Sequence, residues 1–339
     1  MYSPQLTVGD LGEQGLLERV QRFCPTEIIG DDAALFEIAP DRSLVVTTDV
    51  LVDGVHFSNA TTSPEDVGWR AAAANLSDLA AMGASSLGVT VGLALQVDVE
   101  LRWVEKFYEG LQGCLKQYDT AILGGDICRS PVVTVSITAF GQVLPTRAIR
   151  RSSAQVGDIL VVTGLHGASR GGLELLLHPD LGDCLDERDR LALIRAHQRP
   201  QPRLDVLPTL QEFWETSTLQ SPLSIAGMDS SDGLADAVLQ ICRSSGVGAE
   251  IDRNLIPIPK ALYRLVGSER ALEWALYGGE DFELVLCLPE PLAALLVERL
   301  GGHAVAIGRI TRDRVAIVID SRGIYPQQLL SLEWGFQHF

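Results

Sequence analysis

A chain of 339 residues, 46% of them apolar and 21% charged, is long enough for two domains of roughly 150 residues, each with its own core. Its 44 acidic side chains outnumber the 27 basic ones, and the formal net charge of −17 argues against a nucleic-acid partner. No run reaches the ~20 apolar residues that span a bilayer, and no secretion signal is visible, so we expect a cytoplasmic protein.

Cysteine and lysine usage narrows the chemistry further. The six cysteines are widely spaced, without a Cys-x-x-Cys pair or a nearby histidine cluster, which predicts buried reduced thiols and no zinc site. Lysine occurs only at Lys106, Lys116 and Lys260 and never follows glycine, so a P-loop of the Gly-x-x-x-x-Gly-Lys type is excluded. If this protein binds phosphates, metal ions must supply much of the positive charge.

The first half of the chain alternates strand and helix patterns. "SLVVTTDV" predicts a strand, and the next helix is predicted to begin at Pro64, with Ser63 as N-cap, Asp66 completing a capping box and Gly83 as its end. A second helix is predicted near residues 101–118. It is followed by the short strand "AIL" and by "PVVTVSITAFG", whose alternation predicts a half-buried strand.

The second half shows the same alternation after the polar passage "RAIRRSSAQVGD". "ILVVTG" predicts a strand that leads into a Gly-rich turn and the helix "GLELLL". "SIAGMD" leads into "SSDGLADAVLQICRSSG", a turn and an amphipathic helix, and "FELVLCL", "AVAIGRI" and "RVAIVID" are further strands. The pattern predicts an α/β fold in both halves, with a boundary near residue 150.

Five stretches place Asp or Glu in a Gly, Ser or Thr turn beside apolar residues: "IIGDDAAL", "VVTTDVLVDGVHF", "AILGGDICRS", "AGMDSSDGLADA" and "GGEDFELVL". Each has an ordinary explanation of its own, such as an Asx turn at Asp31 and Asp32 or a cap at Asp126. Together they favour one metal-binding cluster, because the ends of strands and helices bind ligands in α/β proteins. Oxygen ligands of this kind select Mg²⁺, Ca²⁺ or Mn²⁺.

The helix "SPEDVGWRAAAANLSDLAAMG" carries one more acid of interest. Trp69, Ala72, Leu76 and Leu79 fall on one face, which we predict to be the core face. Asp78 lies beside that face among small residues, so its carboxylate has room to reach a ligand. A solvated acid on the helix surface is the alternative interpretation.

Other motifs fail or remain open. "DSSDGLADAVLQ" is not an EF-hand, because Leu234 takes the place of the glycine and Gln240 that of the terminal glutamate. "GVGAEI" follows a helix and lacks the third glycine of a dinucleotide fingerprint. "GASRG" matches Gly-x-Ser-x-Gly at Ser169, but the serine lies five residues after the strand end at Gly164, further than in a nucleophile elbow. A Gly-rich loop at a helix N-terminus is the favoured interpretation.

The chain resembles the thiamine-monophosphate kinases nearly from end to end. The resemblance rests on "GDDAAL", "TTDVLVDGVHF", "AAANLSDLAAMGA", "LGGD", "SSAQVGD", "DSSDGL", "GGEDFEL" and the terminal "GFQHF", in family order. Selenophosphate synthetases and the hydrogenase-maturation protein of the same superfamily would show a reactive cysteine near one terminus. Here the first cysteine is Cys24 and the chain ends at Phe339, which does not match them.

The resemblance implies a two-domain fold like that of aminoimidazole ribonucleotide synthetase, of α/β (α+β) type. Residues 1–150 would bind ATP and Mg²⁺ and form a homodimer through a β-barrel-like interface, and residues 151–339 would form an α/β domain. The implied reaction transfers the γ-phosphoryl group of ATP to thiamine monophosphate, with several Mg²⁺ ions, and gives thiamine diphosphate and ADP. A synthetase of the same fold acting on another phosphorylated metabolite, and a nucleotide-binding scaffold without turnover, are the alternatives.

The resemblance also assigns individual residues. It implies Mg²⁺ ligands at Asp32, Thr47, Thr48, Asp49, Asp78, Asp126, Asp229 and Asp232, ATP contacts at Gly125, Arg151 and Ser231, and thiamine monophosphate contacts at His56, Glu280 and Phe336. Three points stay open: whether Arg150 replaces Arg151, whether Trp334 replaces Phe336, and whether Asp281 pairs only locally. No general base is expected, because the phosphate nucleophile is already ionised at neutral pH.

Overall fold

The computed structural model describes residues 6–25, 37–216 and 223–335 of the chain. It divides into two compact units, Met1–Leu79 with Ser85–Gln142 and Ala80–Ala84 with Val143–Phe339. The functions assigned above to the two halves stay predictions. None of the helices in the described ranges has both the length and the apolar character needed to span a bilayer.

Unit 1 is built around a four-stranded sheet. Its elements are helix α1 (Val8–Gln21), strand β1 (Ser43–Val52), helix α2 (Pro64–Ala81), strand β2 (Ser85–Leu95), helix α3 (Leu101–Lys116), strand β3 (Ile122–Arg129) and strand β4 (Thr134–Val143). The strand order is β1-β4-β2-β3, with β2 antiparallel to β4 and parallel to β3. The sheet is open, and β1 and β3 are its edges, so no barrel is seen in the described chain.

The predicted alternation of β4 is confirmed. Every second residue of β4 is buried, and β2 shows the same period from Val89 to Leu95, so one face of the sheet belongs to the core. The helices α2 and α3 pack closely, because a Cβ at Gly68 or Gly110 would collide with the backbone of the other helix. Helix α2 is buried on almost all sides. The buried surface is therefore wider than the single core face that the sequence predicted.

Unit 2 contains a seven-stranded sheet between helices. Its elements are β5 (Ile159–Val162), α4 (Ala168–Leu177), α5 (Glu187–Gln198), α6 (Leu207–Thr216), β6 (Ala226–Asp229), α7 (Leu234–Ser245), β7 (Gly248–Asp252), α8 (Lys260–Tyr277), β8 (Leu284–Leu288), α9 (Glu290–Leu300), β9 (Val305–Thr311), β10 (Ala316–Ile319) and β11 (Gln328–Leu329). The strand order is β11-β10-β7-β9-β5-β8-β6.

The sheet of unit 2 is buried on both faces, which explains why its strands are continuously apolar. In β8, Val285 and Cys287 pack with α7 and α8, whereas Leu284 and Leu286 belong to a second core with α6 and α9. Such runs are typical of strands covered by helices on both sides. The pairing is nonetheless mostly antiparallel, and only β10 and β7 are parallel. Alternating strands and helices therefore did not produce the parallel sheet that this pattern usually indicates.

Two sequence-based predictions need correction. The acids of "VVTTDV" and "LGGD" do not lie in turns, because β1 continues through Asp49 and β3 continues through Asp126 to Arg129. Both are edge strands, where Gly and Asp are tolerated because one side of the backbone has no neighbour to pair with. The cysteines are all free, as expected, but Cys128 and Cys184 are exposed rather than buried.

Candidate functional site

Three loops of unit 2 meet at one edge of its sheet. They are residues 163–167 after β5, residues 230–233 after β6 and residues 278–283 before β8. Strand β8 runs antiparallel to both β5 and β6, with Val162 opposite Val285 and Asp229 opposite Leu284. The start of β8 therefore lies beside the ends of the other two strands, and this places "DSSDG" next to "GGED".

Backbone hydrogen bonds join these two acidic loops. The Glu280 N–H donates to the Ser231 carbonyl at 2.6 Å, and the Ser230 N–H donates to the Glu283 carbonyl at 2.8 Å. Gly279 makes the approach possible: its φ is +67°, and a Cβ there would lie 2.8 Å from the Ser231 oxygen. The loops thus hold Glu280 against Ser231 through backbone contacts, and the Glu283 N–H adds a hydrogen bond to the Ser230 hydroxyl at 3.2 Å.

The loop before β8 has an unusual backbone. Glu280 and Phe282 both have positive φ angles, +58° and +53°, which non-glycine residues rarely adopt. Such a conformation costs on the order of 1–3 kcal/mol and persists only when the surroundings enforce it. Here the burial of Phe282 and the hydrogen bonds to the loop after β6 do so. Strained backbone of this kind is typical of functional sites.

The loop after β6 carries most of the charge predicted for unit 2. Asp229 is buried and accepts a hydrogen bond from the Ser231 hydroxyl at 3.0 Å, whereas Asp232 is exposed. Asp236, in the first turn of α7, was not predicted. Burial raises its pKa, the hydrogen bond from Gln240 lowers it, the charge on Asp232 raises it and the charge on Arg151 lowers it. The charge of Arg151 therefore acts on this acidic turn.

Asp281 and Glu280 have different roles although they are adjacent. The Asp281 carboxylate accepts hydrogen bonds from the Gly167 N–H at 2.6 Å and the Ser169 N–H at 2.9 Å, at the start of α4. Burial raises the pKa of Asp281 to about 7, although the two N–H donors act in the opposite direction. Asp281 thus caps the start of α4, and its partners lie 112 and 114 residues away, so the pairing is not local in the sequence.

The Gly-x-Ser-x-Gly motif does not form a nucleophile elbow. Ser169 is only 1% exposed and lies in the first turn of α4, with its hydroxyl 3.1 Å from His197 Nδ1. A substrate has no access to a hydroxyl at this depth, which argues against hydrolase chemistry. The motif serves instead as the Gly-rich loop at a helix N-terminus that the sequence favours.

A partly buried ion pair between Glu283 and Arg203 lies beside the loop after β5 and the loop before β8. Glu283 accepts from the Thr163 hydroxyl at 2.6 Å and from Arg203 Nη1 at 2.5 Å. Arg203 also donates to the Thr163 carbonyl at 2.7 Å and pairs with Asp205. Burial raises the pKa of Glu283, and the Arg203 charge counteracts it. No local pattern predicts this pair, because its members lie far apart in the chain.

In unit 1, the predicted residues of β1 and α2 are adjacent. The Thr47 hydroxyl donates to Asp78 Oδ2, and the Thr48 hydroxyl lies 2.9 Å from that of Thr138. His56 is oriented by the Val52 N–H, which donates to its Nδ1 at 3.0 Å. A neutral ring then carries its hydrogen on Nε2 and presents that nitrogen as a donor.

The other edge of the unit 1 sheet carries Gly125 and Asp126. Two strands separate β3 from β1, so the two edge strands lie roughly 14 Å apart across the sheet. Gly125 lies so close to β2 that a Cβ would collide with the Val91 carbonyl. Within unit 1, the structure therefore brings Thr47 and Asp78 together but leaves Asp126 at the opposite edge.

Two predicted residues, Asp32 and Phe336, lie outside the described residues, and the neighbouring Trp334 is 66% exposed. In the ranges that the structure describes, no three His, Cys, Asp or Glu side chains converge as the ligands of one metal ion. Any ion bound here would need phosphate or water oxygens to complete its coordination.

Comparison with known proteins identifies relatives of both units. The family profile "AIR synthase related protein, N-terminal domain" matches residues 30–143, and "AIR synthase related protein, C-terminal domain" matches residues 155–320. A thiamine-monophosphate kinase of Synechococcus elongatus is 52% identical over 98% of this chain and 98% of its own length.

Solved structures give the same result. The crystal structure of a thiamine-monophosphate kinase from Stenotrophomonas maltophilia is 35% identical, with a TM-score of 0.77 over 89% of this chain and 95% of that one. The structure of AaThiL complexed with AMPPCP and TMP is 32% identical, with a TM-score of 0.69 over 93% of this chain and 96% of that one.

Proposed function

Because this chain belongs to the thiamine-monophosphate kinase family and converts thiamine monophosphate to thiamine diphosphate with ATP, we propose that its acidic side chains act through Mg²⁺ ions that bind both phosphate groups. The proposed ligands are Asp32, Thr47, Thr48, Asp49, Asp78, Asp126, Asp229 and Asp232. The observation that carries the proposal is the pairing of "DSSDG" with "GGED" at one edge of the unit 2 sheet.

The side chains present fit Mg²⁺. All candidate ligands are oxygen donors, and Mg²⁺ commonly uses one or two protein carboxylates and completes its octahedron with water and substrate phosphates. The side chain of Asp232 is exposed and can reach a bound ion. The buried Asp229 carboxylate is oriented by the hydrogen bond from the Ser231 hydroxyl. When bound, Mg²⁺ neutralises the two anionic substrates so that they can approach each other.

The residues of the chain then position the reactants. A phosphate oxygen of thiamine monophosphate attacks the γ-phosphorus of ATP, and the bond to the β,γ-bridging oxygen breaks to release ADP. No side chain has to remove a proton, because the attacking phosphate is already ionised. Arg151, whose charge lowers the pKa of Asp236, is proposed to bind ATP phosphate. Ser231 and Gly125 are the other proposed ATP contacts.

The vitamin part of the substrate is proposed to bind at Glu280, His56 and Phe336. The carboxylate of Glu280 suits the cationic ring of thiamine, because it is partly exposed and its backbone is fixed by Ser231. The Nε2–H of His56 suits an oxygen acceptor on the substrate.

A homodimer is part of the proposal. Leu44, Val46 and Val50 form an exposed apolar row on β1, an edge strand whose backbone is open to pairing. Pairing of two copies through the unit 1 sheets would cover this row and give the barrel-like interface that the family resemblance implies. A cytoplasmic location is also proposed, since all six cysteines are free.

The test compares two exposed aspartates. We expect Asp232→Asn to lower kcat at least ten-fold and to raise the Mg²⁺ concentration needed for half-maximal rate. Asp313→Asn, in the turn between β9 and β10, is the matched control and should leave both quantities unchanged. Steady-state release of ADP with thiamine monophosphate, over a range of Mg²⁺ concentrations, measures both. Equal behaviour of the two variants would contradict a ligand role for Asp232.

A further inference from the structure

His197 connects the start of α4 with the loop that carries Glu280. It lies in the last turn of α5 and is only 2% exposed. Its Nδ1 is 3.1 Å from Ser169 Oγ and 3.6 Å from Glu280 Oε2. A buried imidazole in contact with a proposed substrate-binding carboxylate therefore needs an explanation, because the phosphoryl transfer uses no base.

The two contacts fall on the same ring nitrogen, Nδ1, which limits the hydrogen positions that suit both neighbours. The Glu280 carboxylate can only accept a hydrogen, whereas the Ser169 hydroxyl can donate or accept, so a hydrogen on Nδ1 is the arrangement that suits both neighbours. In a Ser-His-acid triad, the serine and the acid contact different nitrogens of the ring. His197 therefore does not pass a proton from Ser169 to Glu280. With hydrogen on Nδ1, it donates to the Ser169 hydroxyl at 3.1 Å and turns the positive end of the same N–H toward the Glu280 carboxylate at 3.6 Å.

Packing holds the ring in place. A Cβ at Gly172 would lie 3.0 Å from the Cβ of His197 and would collide with the Leu193 carbonyl, so α4 and α5 are in direct contact. The first turn of α4 is held in turn by Asp281, through the N–H groups of Gly167 and Ser169. The imidazole is thus attached to a rigid pair of helices.

Glu280, in contrast, is partly exposed, with 36% of its side chain accessible. A free glutamate loses rotamer entropy when it binds a ligand, and a fixed donor reduces that loss in advance. We propose that His197 is a positioning residue, which holds the Glu280 carboxylate in the orientation that receives the cationic ring of thiamine monophosphate. This inference rests on the proposed role of Glu280.

The test replaces His197 with asparagine or glutamine, whose side-chain amides each imitate one nitrogen of the imidazole ring, and with leucine, which imitates neither. Asparagine places its N–H₂ near the position of Nδ1, whereas glutamine places it near Nε2, and leucine only fills the space. We expect His197→Gln and His197→Leu to raise the KM for thiamine monophosphate about five-fold while the KM for ATP stays unchanged, since the Nδ1–H that faces the Glu280 carboxylate is lost. His197→Asn should keep the KM for thiamine monophosphate within about two-fold of the original.

A double-mutant cycle separates this inference from the function on which it rests. Glu280→Gln should by itself raise the KM for thiamine monophosphate, and His197→Leu should add nothing in that background. If Glu280→Gln has no effect, the proposed role of Glu280 fails and the inference fails with it. If Glu280→Gln has its effect but His197→Leu does not, or if their effects add, His197 only fills the core and the inference alone is overturned.

A measurement on the unaltered protein covers the case in which the leucine variant does not fold. The ¹⁵N shifts of the His197 imidazole report which nitrogen carries the hydrogen. Hydrogen on Nδ1 in the substrate-free enzyme supports the inference. A neutral ring with hydrogen only on Nε2 overturns it, because Nδ1 would then have nothing to donate to Glu280.

Discussion

At the scale of single residues, Asp281 shows two opposing effects on one carboxyl group. Burial raises its pKa from 3.8 to about 7, while the N–H groups of Gly167 and Ser169 favour the charged form. The folded protein therefore binds this proton more tightly than the unfolded chain does. Its contribution to stability is fully present below about pH 4 and is lost as the pH rises to about 7.

This predicts a pH-dependent difference between the original protein and Asp281→Asn. The asparagine keeps the size of the side chain but does not titrate. Relative to this variant, the free energy of unfolding of the original protein should fall between about pH 4 and pH 7, by at most about 1.4 kcal/mol per pH unit, and should then stay level. Urea unfolding of both proteins at several pH values measures the difference. Parallel curves over that range would show that Asp281 has an ordinary pKa.

The sequence could not assign these roles, because Glu280 and Asp281 are adjacent and both acidic. What distinguishes them is a contact between Asp281 and Gly167, far away in the chain, which no local pattern encodes. The same holds for Glu283 and Arg203. By contrast, the loops "DSSDG" and "GGED" were identified correctly as acidic turns, because their glycines and charges are local signals.

At the scale of helices and strands, the sequence predicted correctly the elements whose ends are set by residues next to them in the chain. Helix α2 begins at Pro64, where the Ser63 and Asp66 side chains cap it, and ends before Gly83, whose φ is +70°. Strand β3 was predicted to end before its glycines, because Gly and Asp usually stop a strand. Its pairing with β2 continues through them, and that pairing is not visible in the local sequence.

The joined loops of unit 2 give a prediction at this scale. Gly279 and Gly323 have nearly the same φ, +67° and +70°, but a Cβ at Gly323 meets nothing within 4 Å. Gly323→Ala should therefore cost only the backbone strain of about 1–2 kcal/mol. Gly279→Ala should cost at least about 1 kcal/mol more, because the new methyl group displaces the Ser231 carbonyl and strains the hydrogen bond from Glu280.

Chemical denaturation of the two alanine variants gives the difference in stability, and steady-state assays show its effect on the site. We expect Gly279→Ala to lose most of its kcat/KM for thiamine monophosphate and Gly323→Ala to keep it. If the two variants lose the same stability and the same activity, the contact between the loops does not contribute to either.

At the scale of the whole molecule, the sheet directions decide where the loops meet. Parallel strands all end at one edge of a sheet, but β5, β6 and β8 are not parallel, because β8 runs opposite to the other two. The acidic loops are neighbours because one follows β6 and the other precedes β8. Composition and motifs predicted two α/β halves and the family, but the strand directions depend on long-range pairing that the sequence pattern does not specify.

The exposed row on β1 leads to the last prediction. Val46 is 53% exposed on this edge strand, and Val315, in the turn between β9 and β10, is 47% exposed. If two copies pair through β1, Val46→Glu places two new charges in an apolar interface, where each has no partner and adds to the repulsion between two chains of net charge −17. We expect Val46→Glu to be monomeric at concentrations where the original protein and Val315→Glu sediment as dimers.

Because both sites are exposed in the single chain, neither change should unfold it, and circular dichroism checks this. A monomeric original protein would refute the dimer, and a dimeric Val46→Glu would place the interface away from β1.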